Sequence, residues 1–320
     1  MSIAEEIAEH FGLSPWDVAR VIVTAPKRYK TFPIPKRSGG VRIIAQPSRE
    51  LKAFQRFIIS SKLAHLPVHP SAMAYVRGRN ILENAEAHRH GRAILKLDFT
   101  NFFPSILVRD WTKYVRTHEV AAPLLVDLPT YSKLLFWGNG SSVPRCLSIG
   151  APSSPLLSNI LMHDFDCKFT ELAREKGVAY SRYADDITIS GLTIEAVSQF
   201  EIEARKLVRQ TKSPALRFND EKRGLYLRGQ RRMITGLILT PNGQVSIGRE
   251  RKRLISAMLH HVSNNTATLE EKARLKGLLG FSISAEPAFI GRMRQKYGSA
   301  VVDQSLQYHI PSFAEAQAFD

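Results

Sequence analysis

Tyr180-Ser181-Arg182-Tyr183-Ala184-Asp185-Asp186-Ile187-Thr188-Ile189-Ser190 is the stretch on which the reading of this chain turns. Apolar residues flank the two acids at strand spacing, which predicts a hairpin with Asp185 and Asp186 at its tip. Two adjacent carboxylates held rigidly repel each other, an arrangement tolerated chiefly when divalent cations bind between them and a third acid. Asp98 is the candidate third acid. It ends the strand-like run Ala93-Ile94-Leu95-Lys96-Leu97-Asp98 and leads into Phe99-Thr100-Asn101-Phe102-Phe103-Pro104-Ser105. Strand-end carboxylates from distant segments are the raw material of a two-metal phosphoryl-transfer site.

Outside these segments, composition narrows the partners. The chain has 320 residues, enough for one large domain and a smaller one, and its hydrophobic fraction of 44% is that of a globular protein. Its 45 Lys and Arg against 29 Asp and Glu give a net charge of +16, with a pI near 10.0. Such a surplus draws a polyanion, either nucleic acid or an anionic membrane face. The longest apolar stretches, around Val21 to Ala25 and Leu134 to Trp137, fall far short of the about 20 residues of a membrane span. The N-terminus is acidic and amphipathic, unlike a signal peptide, so a cytoplasmic protein with no membrane partner is expected. Cys146 and Cys167 are too few for a disulfide framework and too far apart for a zinc motif; both are read as buried reduced thiols.

Along the chain, Ser2 to Phe11 and Ser14 to Thr24 read as amphipathic helices, the second opened by a Ser14 cap and Pro15. Tyr29 to Ile34 and Val41 to Ala45 flank the turn Lys36-Arg37-Ser38-Gly39-Gly40 as a basic hairpin. Helices are expected over Glu50 to Leu66, over Leu107 to His118, and from Ser154-Pro155 to near Gly177 with Leu157, Ile160, Leu161, Phe165 and Phe169 inside. Ala121 to Gly140 gives no clear pattern. A helix over Ile194 to Lys212, a strand at Leu216-Arg217-Phe218 and a hairpin turning at Pro241-Asn242-Gly243 follow. This mixture predicts an α+β fold with an antiparallel sheet. Beyond Gly248 only helices are expected, over Arg249 to His261, Thr268 to Ser284 and Pro287 to Tyr297, with Gln304 to Asp320 a loosely packed tail.

From about Arg28 to Tyr297 the chain resembles a reverse transcriptase, and within that class a retron reverse transcriptase. Tyr183-Ala184-Asp185-Asp186 matches the polymerase signature, Leu97 to Ser105 the first acidic motif, and Gly150-Ala151-Pro152-Ser153-Ser154-Pro155 the loop supporting the nascent pair. Asn84-Ala85-Glu86-Ala87-His88 matches the Asn-Ala-x-x-His element of retron enzymes, and Ile234-Thr235-Gly236 resembles their Val-Thr-Gly element. One departure is Ile149, where the family usually has Gln.

The resemblance implies a right-hand polymerase, with fingers and palm over 1–240 and a small helical thumb over 241–320. It implies two Mg²⁺ ions, bridged by Asp98 and Asp185, with Asp186 completing the shell and the Phe99 carbonyl adding an oxygen. Phe103 resembles the steric gate that selects dNTPs, Phe102 being core, and Gly150 belongs to the nucleotide pocket. Lys36, or Arg37 in its place, and Arg42 would clamp the triphosphate. Lys222 lies where the family often places a proton donor to pyrophosphate. Asn84 and His88, four apart on one helix face, would contact the structured RNA; a core hydrogen bond is the alternative for His88. Arg228, Arg231, Arg232, Arg249, Arg251, Lys252 and Arg253 would grip an A-form RNA–DNA hybrid, or else be simply solvated.

Function by this resemblance is RNA-directed DNA synthesis, copying a dedicated noncoding RNA from a 2′-OH primer into branched single-stranded DNA (msDNA). An antiphage defence role with an accessory effector protein goes with it. The competing readings are another bacterial reverse transcriptase, of group II intron or diversity-generating type, and a non-catalytic RNA-binding scaffold that restrains an effector.

Overall fold

The computed structural model describes residues 1–36 and 39–309. Ser2 and Ser14 each place a hydroxyl ahead of an apolar-periodic run, and each accepts from the backbone three residues on, at Glu5 and Asp17. Those bonds satisfy donors that a helix start leaves orphaned. They open α1 (Ile3–Phe11) and α2 (Pro15–Thr24). β1 (Tyr29–Pro35) and β2 (Val41–Pro47) then pair antiparallel as expected, Ile34 lying opposite Arg42. α3 (Arg49–Ile58) follows and runs on into a π-helical turn at Ile59–Leu63.

Two compact units divide the chain, one formed by Met1–Arg79 with Gly91–Leu225, the other by Asn80–His90 with the chain from Tyr226 onward. A four-stranded sheet has the order β4-β5-β3-β6, formed by β3 (Ala93–Asp98), β4 (Ala179–Tyr183) and β5 (Asp186–Gly191) of the first unit and by β6 (Gly224–Leu227), the strand in which that unit ends. Both β3 and β4 run antiparallel to β5. Leu95, Leu97, Ile187 and Ile189 are buried in this sheet, and each such burial contributes about 1.5–3 kcal/mol. α9 (His163–Glu175) and α10 (Ile194–Gln210) cover it, with Phe169 edge-on to Phe200 at 5.8 Å. α5 (Phe102–Ser105), α6 (Val108–Thr117), α7 (Leu128–Leu135) and α8 (Ser154–Leu161) complete the unit.

Three local expectations need correction. The single helix expected from Ser154 breaks at Met162 into α8 and α9, a break that periodicity does not mark because apolar residues continue across it. The strand expected at Leu216-Arg217-Phe218 is only a bridge from Phe218 to Phe99. Its flanking backbone bonds serve the acidic motif instead: the Thr100 N–H donates to Arg217 and the Asn219 N–H to Asp98. Cys146 is buried, but Cys167 is exposed on α9.

In the second unit, α4 (Ile81–Glu86) is capped by Asn80 and packs on a three-stranded sheet of β7 (Arg232–Ile234), β8 (Leu237–Leu239) and β9 (Val245–Ser246). β8 and β9 meet through the expected turn, where the Gly243 N–H donates to the Thr240 carbonyl at 3.1 Å. α11 (Arg249–Ser263), α12 (Leu269–Ala285), α13 (Pro287–Tyr297) and α14 (Ser299–Gln307) follow. By compactness the chain divides after 225, with 80–90 in the second unit, where α4 packs on the β7-β8-β9 sheet; these units are not the expected fingers-and-palm and thumb of 1–240 and 241–320. Gln304 to Gln307 are helix, not tail; 310–320 lie outside the described residues. Among the described residues no helix is long and apolar enough to cross a membrane.

Candidate active site

Strand register brings the three acids together. Asp98 ends β3 directly opposite Asp186, the first residue of β5. The tip between β4 and β5 is Ala184-Asp185, and Ala184 takes a left-handed φ of 58°. A two-residue hairpin loop demands such a conformation, normally from Gly or Asn. Asp185 is tied back to the acidic motif: its carbonyl accepts from the Phe99 N–H at 3.2 Å. The Phe99 ring is buried and stacks on Phe218 at 5.1 Å, which anchors the motif from below.

The electrostatics of the triad follow from its burial. Loss of solvent is the largest influence on Asp185 and raises its pKa; Asp98 raises it further, while Lys222 and Arg42 oppose. Asp186 is pushed up to about 6, first by burial, with Asp185 and Asp98 adding and Lys96 opposing. Asp98 is paired with Lys222, whose Nζ lies 2.9 and 2.8 Å from its two carboxylate oxygens. The 3₁₀ turn Asp220–Lys222 presents that ammonium. Lys222 thus sits against an acid of the triad.

An acid whose folded pKa exceeds its unfolded value binds more protons when folded, so folding stability falls as pH rises between the two values. For Asp186 the window runs from about 4 to about 6. Without divalent cations, Asp186→Asn should therefore melt a few degrees above the wild type at about pH 7.5, with the gap closing near pH 4.5. Identical melting curves at both pH values would show that Asp186 is under no such strain.

As they stand, no three His, Cys, Asp or Glu side chains among the described residues form a ready metal cage. The donors of the triad are nevertheless all oxygen, crowded, partly desolvated and mutually repelling, which fits a hard divalent cation such as Mg²⁺. Lys222 Nζ lies 2.8 Å from the Asp98 carboxylate, a cation already set against this oxygen-rich group.

Beside the triad lies a cleft of about 350 Å³ lined by Tyr75, Phe103, Ile149, Gly150, Lys52 and Arg56, among others. Phe103 is partly exposed in it and faces Tyr75 at 6.4 Å between ring centres, whereas Phe102 is buried, as the expected division of roles requires. Gly150 has φ 121°, and a Cβ there would come within 3.1 Å of the Ala45 carbonyl oxygen, so any side chain there would be both strained and crowded. The loop is fastened to β2 by the Ala45 N–H, which donates to Ile149 at 2.8 Å. Arg42 lies close enough to stabilise the charged forms of both Asp185 and Tyr75. Lys36 is exposed at the hairpin turn, and Arg37 lies outside the described residues. Tyr75, Lys52 and Arg56 escaped the sequence reading; the four-residue spacing of the last two on α3 was the available signal.

Residues 34–269 match the family model described as reverse transcriptase (RNA-dependent DNA polymerase). The retron Ec83 reverse transcriptase of Escherichia coli is 36% identical, over 88% of this chain and 90% of its own length. The chain belongs to the retron reverse transcriptases. The retron Mx65 reverse transcriptase of Myxococcus xanthus is 33% identical, over 91% of this chain and 70% of its own. A solved telomerase from Candida albicans overlays with a TM-score of 0.49 at 12% identity, over 88% of this chain and 61% of that one. Membership of that family, by the match over 34–269 and the 36% identity to the Ec83 enzyme, makes RNA-directed DNA polymerisation this protein's activity, on the family's right-hand polymerase fold.

Several residues expected to touch nucleic acid in this retron reverse transcriptase are placed otherwise. Asn84 and His88 are each 1% exposed, and burial alone lowers the His88 pKa to about 3, so the neutral ring is packed in the interior of the second unit. The helix that carries the Asn84–His88 element is tied to the Ile234–Gly236 element at its start: Thr235 Oγ1 donates to the Ile81 carbonyl at 3.3 Å, and α4 packs on β7 and β8. Arg232 is buried and bonds the Thr240 carbonyl. Arg251 donates to the Gly236 and Ile247 carbonyls and stacks over Phe281 at 4.5 Å. Lys252 pairs with Glu286 at 2.6 Å. These side chains therefore hold the second unit together. Arg228 is exposed but bonded to the Pro241 carbonyl, and Arg231 pairs with Glu250. Arg249 and Arg253, one turn apart on α11, are exposed and have no ion-pair partner among the described residues.

Proposed function

We propose that this reverse transcriptase copies one dedicated noncoding RNA into branched single-stranded DNA, primed from the 2′-OH of a guanosine in that RNA, and retains the msDNA product. The observation that supports it most is the register of Asp98 against Asp186, with Asp185 tied beside them at the hairpin tip. Two Mg²⁺ held by Asp98, Asp185, Asp186 and the Phe99 carbonyl would lower the pKa of the attacking hydroxyl and neutralise the leaving pyrophosphate. The chain's own groups do the rest. Phe103 excludes the ribose 2′-OH, Gly150 lets the loop approach the nascent pair, and Arg42 with Lys36 grips the triphosphate. Lys222, paired with Asp98, is the proton donor to the pyrophosphate.

The RNA–DNA hybrid is gripped through its phosphates by Arg249 and Arg253, with Arg228 and Arg231 nearby in sequence. The enzyme acts in the cytoplasm, in an antiphage defence system, with an accessory effector protein as partner. Sequencing the nucleic acid that co-purifies with the protein, before and after debranching, tests the product: a branched RNA–DNA hybrid is expected, and linear cDNA alone would refute it. In the same preparation Arg249→Ala with Arg253→Ala should lower hybrid affinity and flatten its dependence on salt by about two units of slope at most. An unaltered slope would place the grip elsewhere.

A further inference from the structure

The guanidinium of Arg182, in the strand that leads to Asp185 and Asp186, is fully buried, and so is its partner Asp166 on α9. Nε donates to Asp166 Oδ1 at 2.8 Å and Nη2 to Oδ2 at 2.6 Å, a two-pronged pair. Tyr180 donates its hydroxyl to the same carboxylate at 2.6 Å. The remaining nitrogen, Nη1, is divided between Asn159 Oδ1 at 3.1 Å and the carbonyl of Ala184 at 3.2 Å. Ala184 is the residue that enters the hairpin tip with a left-handed backbone, immediately before Asp185.

This network also reaches the opposite wall of the nucleotide cleft. Asn159 Nδ2 donates to the Ala74 carbonyl at 2.8 Å, and the backbone of Arg182 exchanges bonds of 2.8 Å with Ser71 and Met73. Ala74 is followed by Tyr75, held at φ 63° and facing Phe103. One buried guanidinium thus touches, directly or through Asn159, the segments that present both Asp185 and Tyr75.

A buried ion pair is a weak stabiliser, because desolvation consumes most of the attraction and a well-packed apolar pair can hold a fold equally well. Its distinct capacity is directional, since the planar fork fixes several acceptors at set angles. We propose that Arg182, clamped by Asp166, is a positioning residue that fixes the hairpin tip bearing Asp185 and Asp186 and, through Asn159, the Tyr75 wall of the nucleotide cleft. The inference rests on the reading of those acids as catalytic.

Arg182→Lys retains the charge but cannot span Asp166, Asn159 and Ala184 together. In the full-length enzyme with its RNA, this variant should melt cooperatively and bind template as the wild type does. Its kcat should fall about 10–100-fold, the scale expected for misplacement of catalytic groups by an ångström, with KM for dNTP changing less than kcat. Hydrogen–deuterium exchange should quicken at 183–186 and not across α10. Tyr180→Phe, which leaves the Ala184 contact alone, should stay within about threefold of wild-type kcat. Wild-type kcat in Arg182→Lys would overturn the proposal, as would a loss of activity matched by the loss of folded protein, with exchange raised evenly. If Arg182→Lys does not fold, Asn159→Ala keeps the ion pair and should still slow kcat several-fold and quicken exchange at the tip; unchanged values would overturn the proposal equally. Activity surviving Asp185→Asn with Asp186→Asn would instead remove the reading of the acids, independently of Arg182.

Discussion

Replacing Asp185 and Asp186 together by asparagine should abolish DNA synthesis, a loss of roughly 10³-fold or more, while the protein still binds its RNA. Asparagine preserves the shape of the hairpin tip and removes both charges, so the effect reads the electrostatics of the site. The triad is crowded enough for burial and neighbouring carboxylates to raise Asp186 to about 6, which means that part of the folding free energy is spent on holding these charges close. The amides relieve that repulsion, so the double variant should fold at least as well as the wild type. Primer extension by the double variant at the wild-type rate would show that the acids do not hold the reaction's metal ions.

Phe103→Ala should open the cleft to ribonucleotides, raising their use relative to deoxynucleotides by about 10–100-fold. The structure makes this a test of one ring: Phe102 is 3% exposed and packed in the core, whereas Phe103 lines the cleft opposite Tyr75. Removing a ring that blocks a hydroxyl changes which nucleotide fits and leaves the acids untouched, so dNTP incorporation should remain measurable. Unchanged sugar selectivity, measured by competing rNTP against dNTP on one template, would move the gate to Tyr75. Tyr75→Ala would then be the variant that relaxes it.

How much of this was legible can be judged element by element. The caps at Ser2 and Ser14, the hairpin around Lys36, and the strands bearing Asp98 and Asp186 follow from local signals and appear where expected. The break at Met162 was hidden by continuous apolar periodicity, and the bonds at Arg217 to Asn219 resemble a strand only in composition. In the basic stretch opening α11, charge was visible and direction was not. Arg251 and Lys252 turn inward to carbonyls and Glu286, while Arg249 and Arg253 face outward. His88 shows the same limit: its four-residue spacing from Asn84 defines a shared face, but only the packing of α4 on β8 shows that this face is buried.

By itself the sequence determined the family and offered the candidate chemistry: three acids on strand ends, an aromatic beside the first, a glycine loop, a basic surplus and the motifs of a retron reverse transcriptase. Those are properties of residue type and local spacing, which a chain carries whether or not it is folded. Tertiary structure alone decided which cations face solvent, that Lys222 pairs with Asp98, that Tyr75 closes the cleft with Phe103, and that Arg182 is buried against Asp166 beneath the hairpin tip. Each of these joins segments far apart in the chain, and such a contact depends on burial and on the direction of a side chain, quantities that no local pattern encodes.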